Sequence, residues 1–412
     1  MTAAVLALAI SAAGCGAATA GQGTSASRTR PASPASPVSP GRPSPASPAR
    51  SPTAPRPATA GSSCPARVLS RMTEAQRVGQ LFLVGLGGDQ ADPATLAAIR
   101  ASHFGSVLFG TTSYAGVAAT RAVTGAVQSL ATGPATAGVR FFVAANQEGG
   151  QVQQLQGPGF PAMPAALDQE QLAPGALQQQ AAAWGGVLRQ AGVNLDLAPV
   201  MDTVPPGTDE QNAPIGMLQR EFGHDPAAVA AHGVAFLRGM ARAGVAATAK
   251  HFPGLGRVRG NTDFSSGVVD TVTTSHDAYL QPYQAAINAG VPFVMVSLAT
   301  YTRIDAQHLA VFSTRVMQTI LRQQMRFGGV IVSDDMGAAT AVGAVSPAAR
   351  AIGFLAAGGD LITSVSTPVA AQMDRAVLAR AAADAAFRGQ VSAAAARVLA
   401  AKQAYGLLPC SG

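Results

Sequence analysis

The sequence predicts an α/β fold, a single (β/α)8 TIM barrel spanning residues 64–412, preceded by a tail with no core of its own. Three observations carry this reading. Eight short apolar runs recur along the chain, Ala-rich helical stretches separate them, and polar side chains gather just past the C-terminal ends of several runs. Continuously apolar strands covered by helices on both faces form parallel sheets. Eight such strands close a barrel, whose chemistry sits at the strands' C-terminal ends.

The tail divides in two. Met1 to Gly14 is apolar and Ala-rich and runs into Cys15 as AISAAGC, which resembles a bacterial secretory signal with Cys15 as the lipidation position of a lipobox. Residues 1–15 are therefore expected to be a signal peptide and lipobox. Residues 16–63 repeat S-P and A-S-P units and hold no carboxylate, so they can bury no core and should form a disordered Pro/Ser/Ala-rich tether. The tail also explains the basic balance. Five arginines and no acid lie in residues 1–64, which accounts for five of the seven net positive charges, and the rest holds 23 basic against 21 acidic residues. That distribution predicts a basic tether beside an anionic cell envelope, and it excludes a nucleic-acid-binding domain. The expected location is outside the membrane, as an anchored lipoprotein or a secreted protein.

The strands expected in the barrel are Leu81 to Leu86, Ser106 to Phe109, Phe141 to Ala145, Val193 to Val200, Ala246 to Lys250, Phe293 to Leu298, Val330 to Ser333 and Leu361 to Ser364. Ala227 to Ala243 and Ala278 to Ala289 read as intervening helices, and Thr73 to Gln76 as a capping box opening an early one. A doubly wound open sheet is the alternative architecture. GLGGD at Gly85 to Asp89 lacks the third glycine and helix start of a dinucleotide fingerprint, so no nucleotide cofactor is expected. With Cys15 lipidated, Cys64 and Cys410 are left at the two ends of the barrel. A closed barrel brings its ends together, and an oxidising compartment favours their disulfide.

Strand ends carry the candidate chemistry. The third strand runs into Asn146, Gln147 and Glu148, the fourth into Asp202, the fifth into Lys250 and His251, and the seventh into Asp334 and Asp335. A Lys-His pair at the mouth of a buried strand needs partners once desolvated. His224, His232, His276 and His308 lie apart with no metal-ligand spacing, so no metal is expected.

KHFPG at Lys250 to Gly254, followed by Thr262-Asp263, and VIVSDDM at Val330 to Met336 resemble the signature segments of glycoside hydrolase family 3, in its single-domain β-N-acetylhexosaminidase branch. The likeness covers about residues 66 to 408 and leaves little chain for the second domain that many relatives add. It implies a retaining glycosidase acting on β-linked N-acetylglucosamine-type sugars of cell-wall material, a glycan or muropeptide substrate, no cofactor, and a monomer. It makes Asp334 the nucleophile. IGMLQREFG at Ile215 to Gly223 resembles a family segment that supplies an arginine. By that likeness Arg220, Lys250, His251, Asp202 and Asn146 bind the sugar.

The chain departs from the family pattern at four places. Asn146 stands for an aspartate, Leu255 for the histidine of KHFPGHG, and Leu298 for a histidine after the sixth strand. Asp263-Phe264-Ser265 replaces the Asp-Ser-His that holds the proton donor. Serine has no matched pKa for acid catalysis. Three readings follow. Asp263 acts alone as acid/base, its pKa raised by Phe264 and an apolar loop; another group such as Asp270, His276 or Glu148 supplies the proton; or the protein is a catalytically impaired glycan-binding surface lipoprotein.

Overall fold

A computed structural model describes residues 63–87 and 90–410. The expected signal peptide, the Cys15 lipidation site and the tether up to residue 62 lie outside the described residues.

Eight parallel strands form one sheet: β1 Phe82–Leu86, β2 Ser106–Phe109, β3 Phe142–Ala145, β4 Leu195–Asp196, β5 Ala246–Phe252, β6 Phe293–Val296, β7 Val330–Ser333 and β8 Ile362–Ser364. Their spatial order is β7-β6-β5-β4-β3-β2-β1-β8. A parallel bridge between Val332 and Leu361 joins the two ends, so the sheet closes on itself. All eight predicted strands are present, and the open-sheet alternative falls. The widest boundary difference is β4, expected over Val193 to Val200. Proline has no amide hydrogen to give a ladder, and after Pro199 only a bridge from Val200 to Lys250 continues the pairing.

Side chains alternate along each strand. Leu83, Leu108, Phe142, Ala144, Leu195, Ala246, Phe293, Met295, Val330 and Val332 share one buried cluster that fills the barrel. Their neighbours Phe82, Val84, Val107, Phe109, Val143 and Ile331 belong to the larger core between strands and helices. The surrounding helices include Pro93–Ala101, Pro226–Arg242 and Pro347–Ala356, each with proline in its first turn and a side-chain cap from Asp92, Asp225 and Ser346 respectively. Thr73 and Gln76 form the expected capping box. At the N-terminal end of the barrel, the closing helix Ala385–Ala404 inserts fully buried Lys402. Its Nζ donates to Gln80 Oε1 at 2.7 Å and to the Gly105 carbonyl at 2.6 Å.

Cys64 and Cys410 are disulfide-bonded, with Cα atoms 6.1 Å apart across 346 residues of sequence. Such a bridge restricts the unfolded chain most when the loop it closes is long. Among the described residues, no helix is long and apolar enough to cross a membrane.

Candidate active site

The C-terminal ends of the strands surround a cavity of ≈ 490 Å³. Leu108, Leu197, Met295 and Thr363 floor it from the barrel. Asn146, Arg220, Lys250, His251 and Asp334 stand on its walls, and the Asn261 to Phe264 loop closes one side.

The most buried part of the wall is a charge cluster. Glu148 sits on a short turn after β3, where Gly149 has φ 106° and a Cβ there would meet the Pro164 carbonyl oxygen at 2.1 Å. Only glycine permits that turn, and the turn aims Glu148 inward. Arg220 grips both its oxygens, Nε to Oε2 at 2.7 Å and Nη2 to Oε1 at 2.8 Å. Lys250 Nζ lies 2.6 Å from Oε1 and donates to Asn146 Oδ1 at 2.8 Å. Burial acts to raise the Glu148 carboxyl, but Arg220 and Lys250 outweigh it and hold the pKa at about 2. Glu148 is therefore a permanent anion, which removes it as a proton donor. Arg220 does not pair with Asp225, which caps the Pro226–Arg242 helix.

A second network fixes His251. Asp202 accepts from His251 Nδ1 at 2.8 Å, from the amides of His251 at 3.1 Å and Leu255 at 2.8 Å, and from the Tyr283 hydroxyl at 2.7 Å. Asp202 is 0% exposed and does not line the cavity. This corrects the expectation that it binds sugar. It holds His251 in place, and burial is again outweighed, here by the His251 interaction and the donated hydrogen bonds, leaving its pKa lowered.

Asp334 follows β7 directly; its amide donates to the Val296 carbonyl at 3.0 Å and its Oδ1 accepts from the Asp335 amide at 2.9 Å. Asp335 holds the loop instead, accepting from the amides of Gly337, Ala338 and Val365. Asp263 faces Asp334 across the same cavity. The residue is solvent-exposed on its loop, while its carboxyl lies among the cavity's charges. Partial burial and the neighbouring Asp334 raise its pKa to about 6 against the pull of His251 and Arg220. Its loop is tied to the one after β7, since the amides of Thr340 and Ala341 donate to the carbonyls of Asp263 and Thr262.

The other donor candidates lie elsewhere. Asp270 is buried in a turn, accepting from Val272, Thr273 and the Thr273 hydroxyl. His276 lies outside the cavity lining. Ser265 lines an adjoining cleft with Arg257 and Arg259. Leu255 forms an apolar stretch of cavity wall, and Leu298 is fully buried. Sequence reasoning missed Glu148 as the anchor of both cations, though a lone carboxylate in a glycine turn after a strand was a usable signal. Nothing in the sequence marked Tyr283.

The profile described as the glycosyl hydrolase family 3 N terminal domain matches residues 73–401. The crystal structure of a β-N-acetylhexosaminidase from Beutenbergia cavernae is 50% identical, with a TM-score of 0.80, and the match covers 81% of this chain and 99% of that one. The β-hexosaminidase of Methylococcus capsulatus is 35% identical over 238 residues, which are 56% of this chain and 68% of the relative. That of Stenotrophomonas maltophilia strain R551-3 is 35% identical over 229 residues, 54% of this chain and 66% of the relative. The chain thus spans about two thirds of the length of these curated relatives. Strand order, cavity and sequence agree: this chain belongs to glycoside hydrolase family 3.

Proposed function

We propose that the protein is a retaining glycosidase that hydrolyses β-linked N-acetylhexosaminides, with Asp334 as nucleophile and Asp263 as acid/base. One observation carries the assignment of roles: the two carboxyls line one cavity, and their environments differ. Retaining hydrolysis needs one ionised carboxylate to attack the anomeric carbon and one protonated carboxyl to release the leaving oxygen. Asp263, raised to about 6, keeps a proton in a useful fraction of molecules near neutral pH. In the first step Asp334 bonds to the anomeric carbon as the glycosidic bond breaks, and the Asp263 proton goes to the departing oxygen. In the second, water attacks that carbon, gives its proton to Asp263 and releases Asp334.

The sugar is oriented by the charge cluster. With Glu148 and Asn146 holding Lys250 Nζ, one ammonium hydrogen is left for a sugar hydroxyl. Asn146 replaces a carboxylate acceptor with an amide, so its hydrogen bonds to the sugar are about half as strong. The Beutenbergia relative's activity, together with this cavity, favours the enzyme over an impaired glycan-binding protein.

We further propose cell-wall fragments such as muropeptides as the substrate and a site of action outside the membrane. The Pro/Ser/Ala-rich basic tail and the Cys64 to Cys410 disulfide support that location.

The test is intact-protein mass after incubation with a fluorinated β-N-acetylglucosaminyl fluoride, whose activated leaving group needs no acid. Wild type is expected to gain the mass of one sugar, and Asp334→Asn none, with its hydrolysis reduced on the order of 10⁴-fold or more. An adduct on the Asp334→Asn protein would overturn the assignment.

A further inference from the structure

The connection after β4 carries Arg220 to the cavity, and behind Arg220 it brings together three side chains that the active site does not use. Asp209 opens a short 3-10 turn, Asp209–Gln211, and Glu221 and His224 follow Arg220. One potential ligand atom from each lies within 4.8 Å of the others. His224 Nδ1 is 3.6 Å from Asp209 Oδ1 and 3.3 Å from the Val204 carbonyl oxygen.

Glu221 makes this more than a group of surface acids. It is 0% exposed, and neither carboxylate oxygen accepts a hydrogen bond of good geometry; Asp209 Oδ1 is likewise buried and has only the 3.6 Å approach of His224 Nδ1. The Asp209 carboxyl, the Glu221 amide and that of Arg220 are the polar groups nearest the carboxylate, and burial together with the Asp209 contact raises its pKa to about 7. No ion pair joins a lysine or arginine to Asp209 or Glu221 among the described residues. An uncompensated buried carboxylate is costly, and two facing one another are more so.

We propose that Asp209, Glu221 and His224 form a site for a divalent cation of the zinc or manganese type. Two carboxylate oxygens and one imidazole nitrogen suit such an ion better than calcium or magnesium, which take oxygen ligands alone. The side chains of Asp209 and His224 are each 33% exposed, which gives the ion a path in and leaves a position for water. None of the three lines the active-site cavity. The ion would brace the connection that holds Arg220 against Glu148, a structural role separate from the hydrolysis.

Metal-stripped, tag-free protein titrated calorimetrically with Zn²⁺, and separately with Mn²⁺, is expected to bind about one equivalent of at least one of them. Melting in a saturating concentration should rise by about 2 to 5 °C. Both effects should vanish in Glu221→Gln and in His224→Ala and persist in His276→Ala, a histidine outside the cluster. Should Glu221→Gln not fold, His224→Ala decides, because that side chain is partly exposed. Absence of stoichiometric binding by either metal, or binding undiminished in the variants, overturns the proposal. Neither readout depends on glycosidase activity.

Discussion

The two sides of the cavity are built differently. On the side of β3 to β5, Glu148, Lys250, His251 and Asp202 are between 0% and 4% exposed, and each is held by at least two polar contacts, both of those on His251 coming from Asp202. On the facing side, the Asn261 to Phe264 loop is held by backbone contacts, and Phe264 is 80% exposed. The first side is fixed before any sugar arrives, as electrostatic stabilisation without reorganisation requires. The second carries the proposed proton donor within reach of water. Sugar recognition is thus part of the folding core, while proton delivery is an appendage to it.

Substituting the appendage should injure chemistry and spare the fold. Asp263→Asn is expected to slow hydrolysis of an unactivated N-acetylglucosaminide by about 10² to 10⁴-fold. Formation of the glycosyl-enzyme from an activated fluoride should change far less. An acid must hold its proton to act, so wild-type kcat/KM on the unactivated substrate should fall as pH rises through about 6, the value to which Asp263 is raised. That limb should be missing from the variant's profile. If it persists there, the proton comes from another group. A carboxyl raised to about 6 costs the fold when it ionises, so denaturant melts near neutral pH should find the variant no less stable than wild type.

Substituting the buried side should do the reverse. Glu148→Gln leaves the Arg220 and Lys250 cations facing each other without their shared counterion. Breaking one partner out of a buried ion pair costs about 3 to 5 kcal/mol. Urea unfolding should show that loss, and the weakened hold on Arg220 should raise KM. A variant that melts like wild type would mean that water or a rearranged side chain compensates the cations, and the contrast between the two sides would then be one of exposure alone.

The same contrast explains what could be read from sequence. Barrel strands such as VIVS and FVMV are apolar on both faces because both are buried, so the linear pattern reports them directly. Asp334 was legible for the same reason, as the first charged group after such a run. Asp202 misled because a strand-end carboxylate looks alike whether it faces a cavity or a histidine behind the wall. Its partner Tyr283 is 81 residues away in sequence, on a helix whose pattern says only that one face is buried. The Asp209, Glu221 and His224 group was invisible for a related cause, since a turn and not a helical or strand period brings them together.

Phe264 tests how far the appendage touches substrate. The chain has a single tryptophan, Trp184, buried in a helix, which offered no stacking surface in the sequence. The fold supplies one in Phe264, which lines the cavity beside Asp263 with most of its ring in solvent. A ring so exposed contributes little to the desolvation that raises Asp263, contrary to the role expected for it, but it can lie against the group leaving from the sugar. An aromatic contact of this kind is worth about 0.5 to 1.5 kcal/mol. Phe264→Ala should therefore raise KM about 2- to 10-fold for a disaccharide or aryl glycoside and leave the fluoride, which has no aglycone to stack, unchanged. An equal effect on both substrates, with the pH limb moved toward lower pH, would place the ring in the shielding of Asp263 after all.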